Sequence, residues 1–448
     1  MATVTATRRT ALRGLEYLSS RNSVDCVSLN HSFRCQSLPP LVLAVPLHQP
    51  QSSCRWSSIL GRRYFHATPS PATSSKISYR VAVSSCGKGR PFSPGRNVYN
   101  FDPTTQDAIG IQVGNNRLQR KLSRPLSGED AFFVSKVGDS DRAVAFGVAD
   151  GVGGWSDSGI DPADFSHGFC TYMAETASAW ASPAEKLRAV SLMQAGYDKA
   201  LNDESILAGG STACVGIGYE NGTVQLANLG DSGSVLFRLA AVHHYSVPQT
   251  HGFNAPYQLS ALPPILRLQA QLFGGRQYED LPEDANVTNC KMQHGDVLVL
   301  ATDGVFDNLN NHDILKVITK QMLATGAWSG TAGMGIDVTD KLDALTKPGG
   351  LASLMPDRKF RVSTPEPSSQ PPKQETSVDP HTRNHTLQAL LALAVAGEAK
   401  IMSMDARRDG PFAKESRRYY PFDPWRGGKP DDICVLVVVA VEEGRDSS

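Results

Sequence analysis

The sequence predicts an α+β fold in which antiparallel sheet is covered by helices, and three observations support this prediction. Short apolar runs bounded by turn residues recur through the middle of the chain, as buried strands do. Asn221-Gly222 lies between two of these runs, and Asn-Gly is a typical hairpin turn. Two longer stretches begin with an N-cap residue followed by Pro, as helices often do. Hairpins beside a pair of helices favour this arrangement over a series of alternating parallel units.

The predicted strands are short and rich in Val, Ala, Leu and Gly, and they cover residues 142–149, 211–219, 223–229, 234–239 and 296–301. The predicted helices cover residues 161–181, 182–202 and 385–404. The final apolar run, residues 433–441, is rich in β-branched residues and predicts one more buried strand. No apolar run approaches the ~20 residues that cross a bilayer, so we expect no transmembrane segment.

Residues 1–75 form a separate segment by composition. They hold eight of the 44 basic residues, all of them Arg, but only two of the 44 acidic residues, Glu16 and Asp25. An acid-poor N-terminus rich in Arg and Ser is typical of a mitochondrial transit peptide, because an inside-negative potential attracts a cationic segment. We therefore expect a transit peptide and disordered leader over residues 1–75, and a location in the mitochondrial matrix. The alternative is a disordered Ser-rich N-terminus without a targeting role.

The rest of the chain holds 36 basic and 42 acidic residues without a basic tract, so we expect no nucleic-acid partner. Residues 326–385 change composition and are dominated by Gly, Thr, Pro, Ser, Gln and Lys. Such a segment buries too little apolar surface to offset the entropy of ordering it. We expect a mobile low-complexity insertion there, and a tolerated surface loop is its simplest interpretation.

Acidic residues stand at the ends of the predicted strands. Asp150 and Asp303 each follow an apolar run and precede Gly, Asp431 lies just before the last strand, and Glu129-Asp130 precedes another apolar run. Any one Asp-Gly is a common turn. Together, carboxylates that converge from several strand ends would repel one another unless cations lay between them. Mg²⁺ and Mn²⁺ prefer such oxygen donors, and two ions ~3.5–4 Å apart can activate a water for attack on phosphorus.

Six motifs in a fixed order resemble those of the metal-dependent type 2C serine/threonine protein phosphatases. The resemblance covers a catalytic domain at residues 95–445, and its second and sixth motifs are most similar to the mitochondrial subgroup of the family. The motifs are GEDA at 128–131, VADGVGGW at 148–155, GSTA at 210–213, NLGDS at 228–232, LATDGVFD at 300–307 and KPDDI at 429–433.

The resemblance implies a central antiparallel β-sandwich flanked by helices on both faces, with a binuclear metal centre at one edge. It implies that Asp150 bridges two Mg²⁺ or Mn²⁺ ions and that the carbonyl of Gly151 binds one of them. Asp303 and Asp431 would hold the other ion. Asp150, Asp303 and Asp431 are therefore the expected catalytic residues.

The resemblance also assigns an outer set of acids. Glu129 and Asp130 would contact waters bound to the metals. Asp231 and Asp307 match the positions of a weaker third metal. Asp432 stands where many family members have Asn, and it adds a negative charge near the metals.

Two positions depart from the pattern of many family members. Pro125 stands where an Arg often pairs with substrate phosphate, and the nearby Arg117, Arg120 and Arg124 are out of register. Val152 stands where a His often serves as general acid. The resemblance implies that members of the mitochondrial subgroup also lack the Arg and the His at these two positions. The resemblance then implies that the metals are the main phosphate ligands and that water protonates the leaving group.

The function implied is the hydrolysis of phosphoserine and phosphothreonine in mitochondrial proteins by a metal-activated water. The partners would be phosphorylated proteins of the mitochondrial matrix. Two alternatives keep the same fold, namely a pseudophosphatase that binds phosphoproteins without turnover and a hydrolase of small phosphate esters. Phosphopeptide turnover with Mn²⁺ tests the first alternative, and a panel of substrates tests the second.

Overall fold

The computed structural model of the protein describes residues 76–102, 108–263, 268, 272, 280–352 and 385–444. These residues belong to one compact unit, Ser74–Ser448. The predicted transit peptide at 1–75 lies outside the described residues, and so do residues 353–384 of the predicted insertion.

The strands of the described residues are numbered in chain order. They are β1 (Lys76–Cys86), β2 (Val98–Phe101), β3 (Ala108–Ile109), β4 (Asp130–Lys136), β5 (Val144–Asp150), β6 (Gly209–Ser211), β7 (Ala213–Gly218), β8 (Thr223–Leu229), β9 (Gly233–Arg238), β10 (Ala241–Tyr245), β11 (Thr250–Gly252), β12 (Ala255–Pro256), β13 (Leu259–Ala261), β14 (Asn286–Lys291), β15 (Val297–Ala301), β16 (Trp328–Gly330), β17 (Ile336–Val338) and β18 (Ile433–Glu443).

The helices are numbered in the same way. They are α1 (Arg117–Ser123), α2 (Pro162–Ser178), α3 (Ala189–Asn202), α4 (Asp303–Phe306), α5 (Asn311–Ala324), α6 (Leu342–Thr346), α7 (Leu387–Ser403) and α8 (Pro411–Tyr419). As the sequence predicts, Asp161 caps α2: its side chain accepts a hydrogen bond from the backbone N–H of Ala163, and Pro162 occupies the first turn.

Two six-stranded antiparallel sheets form the centre of the fold. The first sheet has the order β10-β9-β15-β18-β1-β2, and the second has the order β14-β8-β7-β5-β4-β3. Side chains alternate between the faces of each strand, so Phe132 of β4 packs between the sheets whereas Phe133 packs against α2 and α3. In β18, Leu436 faces the other sheet and Val437 packs with α5 and α7. Helices α2 and α3, the second sheet, the first sheet, and helices α5 and α7 thus form four layers. This arrangement confirms the predicted sandwich flanked by helices on both faces.

The first strand extends the folded unit beyond the boundary predicted from the sequence. All eleven residues of β1 pair with β18, from Lys76 opposite Glu443 to Cys86 opposite Ile433. This strand lies before residue 95, where the sequence places the start of the catalytic domain. The boundary at 95 is therefore too late, because β1 is part of the core of the first sheet.

The start of the predicted low-complexity insertion at 326–385 is folded. It contains the hairpin of β16 and β17 and the short helix α6. Trp328 is 1% exposed and its indole N–H donates to the carbonyl of Gly295, while Leu342 and Leu345 are buried beside it in the core. The polar composition of 326–352 conceals these apolar anchors, so the prediction of a mobile segment fails over this part.

The helix predicted over residues 182–202 is interrupted. One 3₁₀ turn, Ala184–Lys186, precedes a break at Leu187 and Arg188, and α3 begins at Ala189. Leu187 has extended backbone and is 1% exposed, and its carbonyl accepts a hydrogen bond from the hydroxyl of Tyr219. The break thus lets Leu187 reach the core.

Among the described residues, no helix combines the length and the apolar character required to cross a membrane.

Candidate active site

Asp130 and Asp150 face each other at one edge of the second sheet. Asp130 begins β4 and Asp150 ends β5, and antiparallel pairing sets them directly opposite each other. The hydroxyl of Thr302, at the end of β15 in the first sheet, donates to Oδ2 of Asp130 over 2.8 Å. The same Thr302 oxygen accepts a hydrogen bond from the backbone N–H of Cys434. This contact joins the two sheets at the edge where the predicted acids lie.

The backbone at Asp150 is fixed by the GSTA motif. The hydroxyl of Ser211 donates to the carbonyl of Asp150 over 2.8 Å, and the hydroxyl of Thr212 accepts from the N–H of Asp150 over 3.2 Å. The N–H of Thr212 also donates to the Asp150 carbonyl, and Gly151 forms an isolated bridge with Ser211. Ser211 and Thr212 therefore scaffold the strand end.

Asp303 and Asp307 lie one turn apart at the end of β15. Asp303 begins α4, and the N–H of Asp307 donates to its carbonyl over 2.8 Å. The side chain of Asp303 lies close enough to the side chains of Asp150 and Asp307 to interact with both. Gly304 allows β18 to approach, since a Cβ there would lie 1.9 Å from the carbonyl oxygen of Asp432. The two sheets thus bring Asp150 and Asp303 together, as the motifs predict.

Asp432 holds the loops around the cluster in place. Its carboxylate accepts hydrogen bonds from the backbone N–H of Lys88 and from that of Glu129, the latter over 2.7 Å. Gly128 is required beside it, because its φ is +76° and a Cβ would lie 2.2 Å from Oδ1 of Asp432. The charge of Asp432 is therefore engaged with backbone amides.

Burial and mutual repulsion favour protonation of several of these acids. Burial raises the pKa of Asp150, and the charges of Asp303 and Asp130 raise it further. Burial is also the main cause that raises the pKa of Asp130. It raises the pKa of Asp231 and of Glu129 to about 7 in each case. A cation among these carboxylates would reverse these shifts.

The donor set fits a hard divalent cation. Every candidate ligand is a carboxylate or carbonyl oxygen, and Oδ1 of Asp130 and Oδ1 of Asp231 are buried without a hydrogen-bond partner. Within the described residues, however, no group of three or more His, Cys, Asp or Glu side chains already surrounds one metal position. Three of the carboxylates converge instead on the ammonium group of Lys429.

Lys429 is the residue that the sequence prediction missed. Its Nζ lies 2.7 Å from Oδ2 of Asp303, 2.6 Å from Oδ2 of Asp307 and 3.2 Å from Oδ2 of Asp431. Burial acts to lower the pKa of Lys429, but the three carboxylates raise it well above its usual value. For Asp303, the ammonium outweighs burial and lowers the pKa. The only signal in the sequence is that Lys429 lies within the KPDDI motif.

The arginines near position 125 are engaged elsewhere. Arg117 and Arg124 form ion pairs with Asp164, whose side chain is 7% exposed. Arg120 pairs with Asp203 over 2.8 Å. These contacts connect α1 with α2 and the end of α3, so none of the three arginines replaces the phosphate-binding residue that is absent at position 125.

A cleft of about 470 Å³ borders the cluster. Asp231 and Asp307 lie on one of its walls, and Phe253 and Phe412 provide apolar surface. The two rings are in contact, with centroids 5.0 Å apart. Asp231 and Asp307 therefore border a cleft large enough for several side chains of a peptide.

The chain is similar to known protein phosphatases. A family model described as "Protein phosphatase 2C" matches residues 119–334. The chain is 33% identical over 265 residues to "Protein phosphatase 2C homolog 7, mitochondrial" of Saccharomyces cerevisiae, which covers 58% of this chain and 75% of the relative. It is 37% identical over 318 residues to "Protein phosphatase PTC7 homolog fig" of Drosophila willistoni, which covers 70% of this chain and 78% of the relative.

A solved structure is also similar. The X-ray structure of the photosystem II phosphatase PBCP aligns with 24% identity and a TM-score of 0.45, over 70% of this chain and 91% of that chain. The yeast and fly relatives exceed 30% identity over three quarters of their own length. The chain therefore belongs to the protein phosphatase 2C family and is a protein serine/threonine phosphatase.

Proposed function

We propose that this phosphatase hydrolyses phosphoserine and phosphothreonine esters with water activated by Mg²⁺ or Mn²⁺ held in the carboxylate cluster. The observation that carries the proposal is the convergence of buried carboxylates from both sheets, with Oδ1 of Asp130 and Oδ1 of Asp231 unpartnered. Buried acids with unsatisfied oxygens are costly unless a cation compensates them. Such ions would supply positive charge and lower the pKa of a coordinated water.

Four groups form the inner part of the proposed site. Asp150, at the end of β5, would contact both ions, and its position near Asp303 suits this role. The carbonyl of Gly151 would be a ligand of one ion. Asp303 and Asp431, which follow β15 and precede β18 of the first sheet, would hold the other ion. The tight packing at Gly304 keeps these two acids close to each other.

Four further acids form the outer part. Glu129 and Asp130 would accept hydrogen bonds from waters of the ions, and the hydroxyl of Thr302 fixes the orientation of Asp130. Asp231 and Asp307 border the cleft and would form the weaker third site. Because Val152 has no ionisable group, water would protonate the leaving serine or threonine oxygen.

The cleft favours a protein substrate over a small phosphate ester. It lies directly beside Asp231 and Asp307, so residues that flank a phosphoserine would enter it. Phe253 contacts Phe412, Tyr419 and Tyr420, with ring centroids 5.0–5.5 Å apart. Apolar side chains that flank a phosphoserine in a peptide can cover more of this aromatic cluster than a small ester can.

The test compares a phosphoserine peptide with p-nitrophenyl phosphate, using the full chain with Mn²⁺ or with a chelator. We expect turnover of both substrates only with Mn²⁺. We expect Phe253→Ala to raise the KM for the peptide by about 5–30-fold, because truncating an aromatic contact costs about 1–2 kcal/mol. The KM for the small ester should rise by a smaller factor.

Phe422→Ala is the matched control, since Phe422 is fully exposed at 101% and does not line the cleft. It should leave both KM values unchanged. An enzyme without metal-dependent turnover of either substrate would support the pseudophosphatase alternative. An equal effect of Phe253→Ala on both substrates would support the small-ester alternative.

We further propose that the phosphatase acts in mitochondria, on phosphoproteins of the matrix. The proposal is supported by the Arg-rich, acid-poor composition of residues 1–75 and by the name of the yeast relative. Residues 1–75 fused to a reporter should direct it to the mitochondrial matrix. A cytosolic reporter would refute this part without affecting the proposed chemistry.

A further inference from the structure

Lys429 lies where a cation is expected among the acids. Its ammonium contacts Oδ2 of Asp303, Asp307 and Asp431, and its side chain is only 13% exposed. Two of these acids are proposed ligands of one divalent ion, and the third belongs to the proposed weaker site. An ammonium and a divalent ion cannot share the same oxygens at contact distance, because like charges repel.

The backbone of Lys429 is fixed by hydrogen bonds, whereas its side chain contains several rotatable bonds. The buried Asn308 accepts from the N–H of Lys429 and donates to its carbonyl, over 2.9 Å in each case. The lysine side chain itself has a flexible four-carbon stem. In the same position the ammonium also lies 4.8 Å from the centre of the Phe412 ring and 3.2 Å from Oδ1 of Asn254, so these two groups remain beside it if it leaves the carboxylates.

We propose that Lys429 is a tethered cation that competes with the divalent ion for the carboxylates of Asp303, Asp307 and Asp431. Entry of the ion displaces the ammonium towards Phe412 and Asn254, on the side of the cleft. Lys429 therefore compensates the acids when no ion is bound and weakens the apparent affinity for the ion. This inference rests on the metal site of the proposed function.

The first experiment measures Mn²⁺ binding to the full chain by calorimetry. Lys429→Met keeps the approximate length of the side chain and removes its charge. If the ammonium occupies the carboxylates in about 90–99% of the metal-free molecules, removing it should make Mn²⁺ bind roughly 10–100-fold more tightly. The variant without Mn²⁺ should melt at a lower temperature than the wild type, since its acids lose their counter-ion. Saturating Mn²⁺ should remove this difference.

Lys88→Met is the matched control. Lys88 also contacts Asp431, over 3.3 Å, but its side chain is 61% exposed and water screens it. This variant should bind Mn²⁺ within about twofold of the wild type. Equal affinity in the wild type and Lys429→Met would overturn the competition. Absence of Mn²⁺ binding in all three proteins would overturn the metal site itself, so the two failures are distinguishable.

A second measurement uses the wild type and does not depend on how Lys429→Met folds. Limited acetylation followed by mass spectrometry reports how accessible each lysine amine is. Acetylation of Lys429, relative to the exposed Lys316, should be slow without Mn²⁺ and should rise several-fold at saturating Mn²⁺. An unchanged or lower rate with bound Mn²⁺ would overturn the proposed displacement.

Discussion

Replacing Asp303 with Asn is expected to lower the kcat for phosphopeptide hydrolysis by about 10³-fold, because metal stabilisation of the transition state contributes several kcal/mol and each ~1.4 kcal/mol is tenfold in rate. Asp303 contacts both Asp150 and Asp307, so its carboxylate is central to the cluster. The measurement is initial-rate kinetics at saturating Mn²⁺. Asn preserves the shape of the side chain and removes the charge that would hold the proposed ion.

Asp296→Asn is the control for this prediction. Asp296 is a buried acid at the opposite end of the same strand, and it pairs with Arg238 over 2.6 Å away from the cluster. Its replacement should cost stability but leave kcat within about threefold of the wild type in the folded protein. If Asp303→Asn retained wild-type activity, the cluster would not be the catalytic centre.

Replacing Phe146 with Ala is expected to lower the free energy of unfolding by about 3–5 kcal/mol, the usual cost of truncating a buried Phe. Phe146 lies in β5 at 0% exposure, between the two sheets. Its ring fills the space above Gly216, where a Cβ would lie 2.3 Å from the ring. Because a domain is stable by only ~5–15 kcal/mol, the loss is a large part of the total. Urea unfolding followed by circular dichroism measures it.

Phe422→Ala makes the same chemical change at a fully exposed position, and its free energy of unfolding should match the wild type within about 0.5 kcal/mol. An equally small effect for Phe146→Ala would mean that the two sheets do not pack as described. The activity of the folded Phe146→Ala fraction should be retained, since the ring does not touch the acids.

The strands that the sequence predicts well are those buried on both faces. Thr223–Leu229 has the predicted bounds, and Val297–Ala301 and Val144–Asp150 differ by one or two residues. Their apolar runs are continuous because one face meets the other sheet and the other face meets helices. The acids at the ends of these strands are also predictable from the sequence. A carboxylate next to a buried apolar run is explained either by a turn or by a cation that binds it.

The elements that sequence reasoning misses depend on distant contacts. β1 contains Ser78, Arg80 and Ser84 and directly follows the predicted leader, so its composition does not mark it as a central strand. Trp328 is buried because its indole N–H donates to the distant carbonyl of Gly295 and its ring packs in the core beside it. Lys429 meets Asp303 and Asp307 across more than 120 residues of chain, and no local pattern encodes that contact.

The pairing of β1 with β18 has a consequence for how the enzyme is made. Lys76 and Glu443 are partners in one ladder, so a very long loop must close before the first sheet is complete, and folds of such high contact order form slowly. A nascent chain that has left the ribosome only as far as β15 exposes unpaired strand edges and depends on chaperones for protection. Asp431 arrives with β18, so the proposed metal site is complete only after the last strand has been translated.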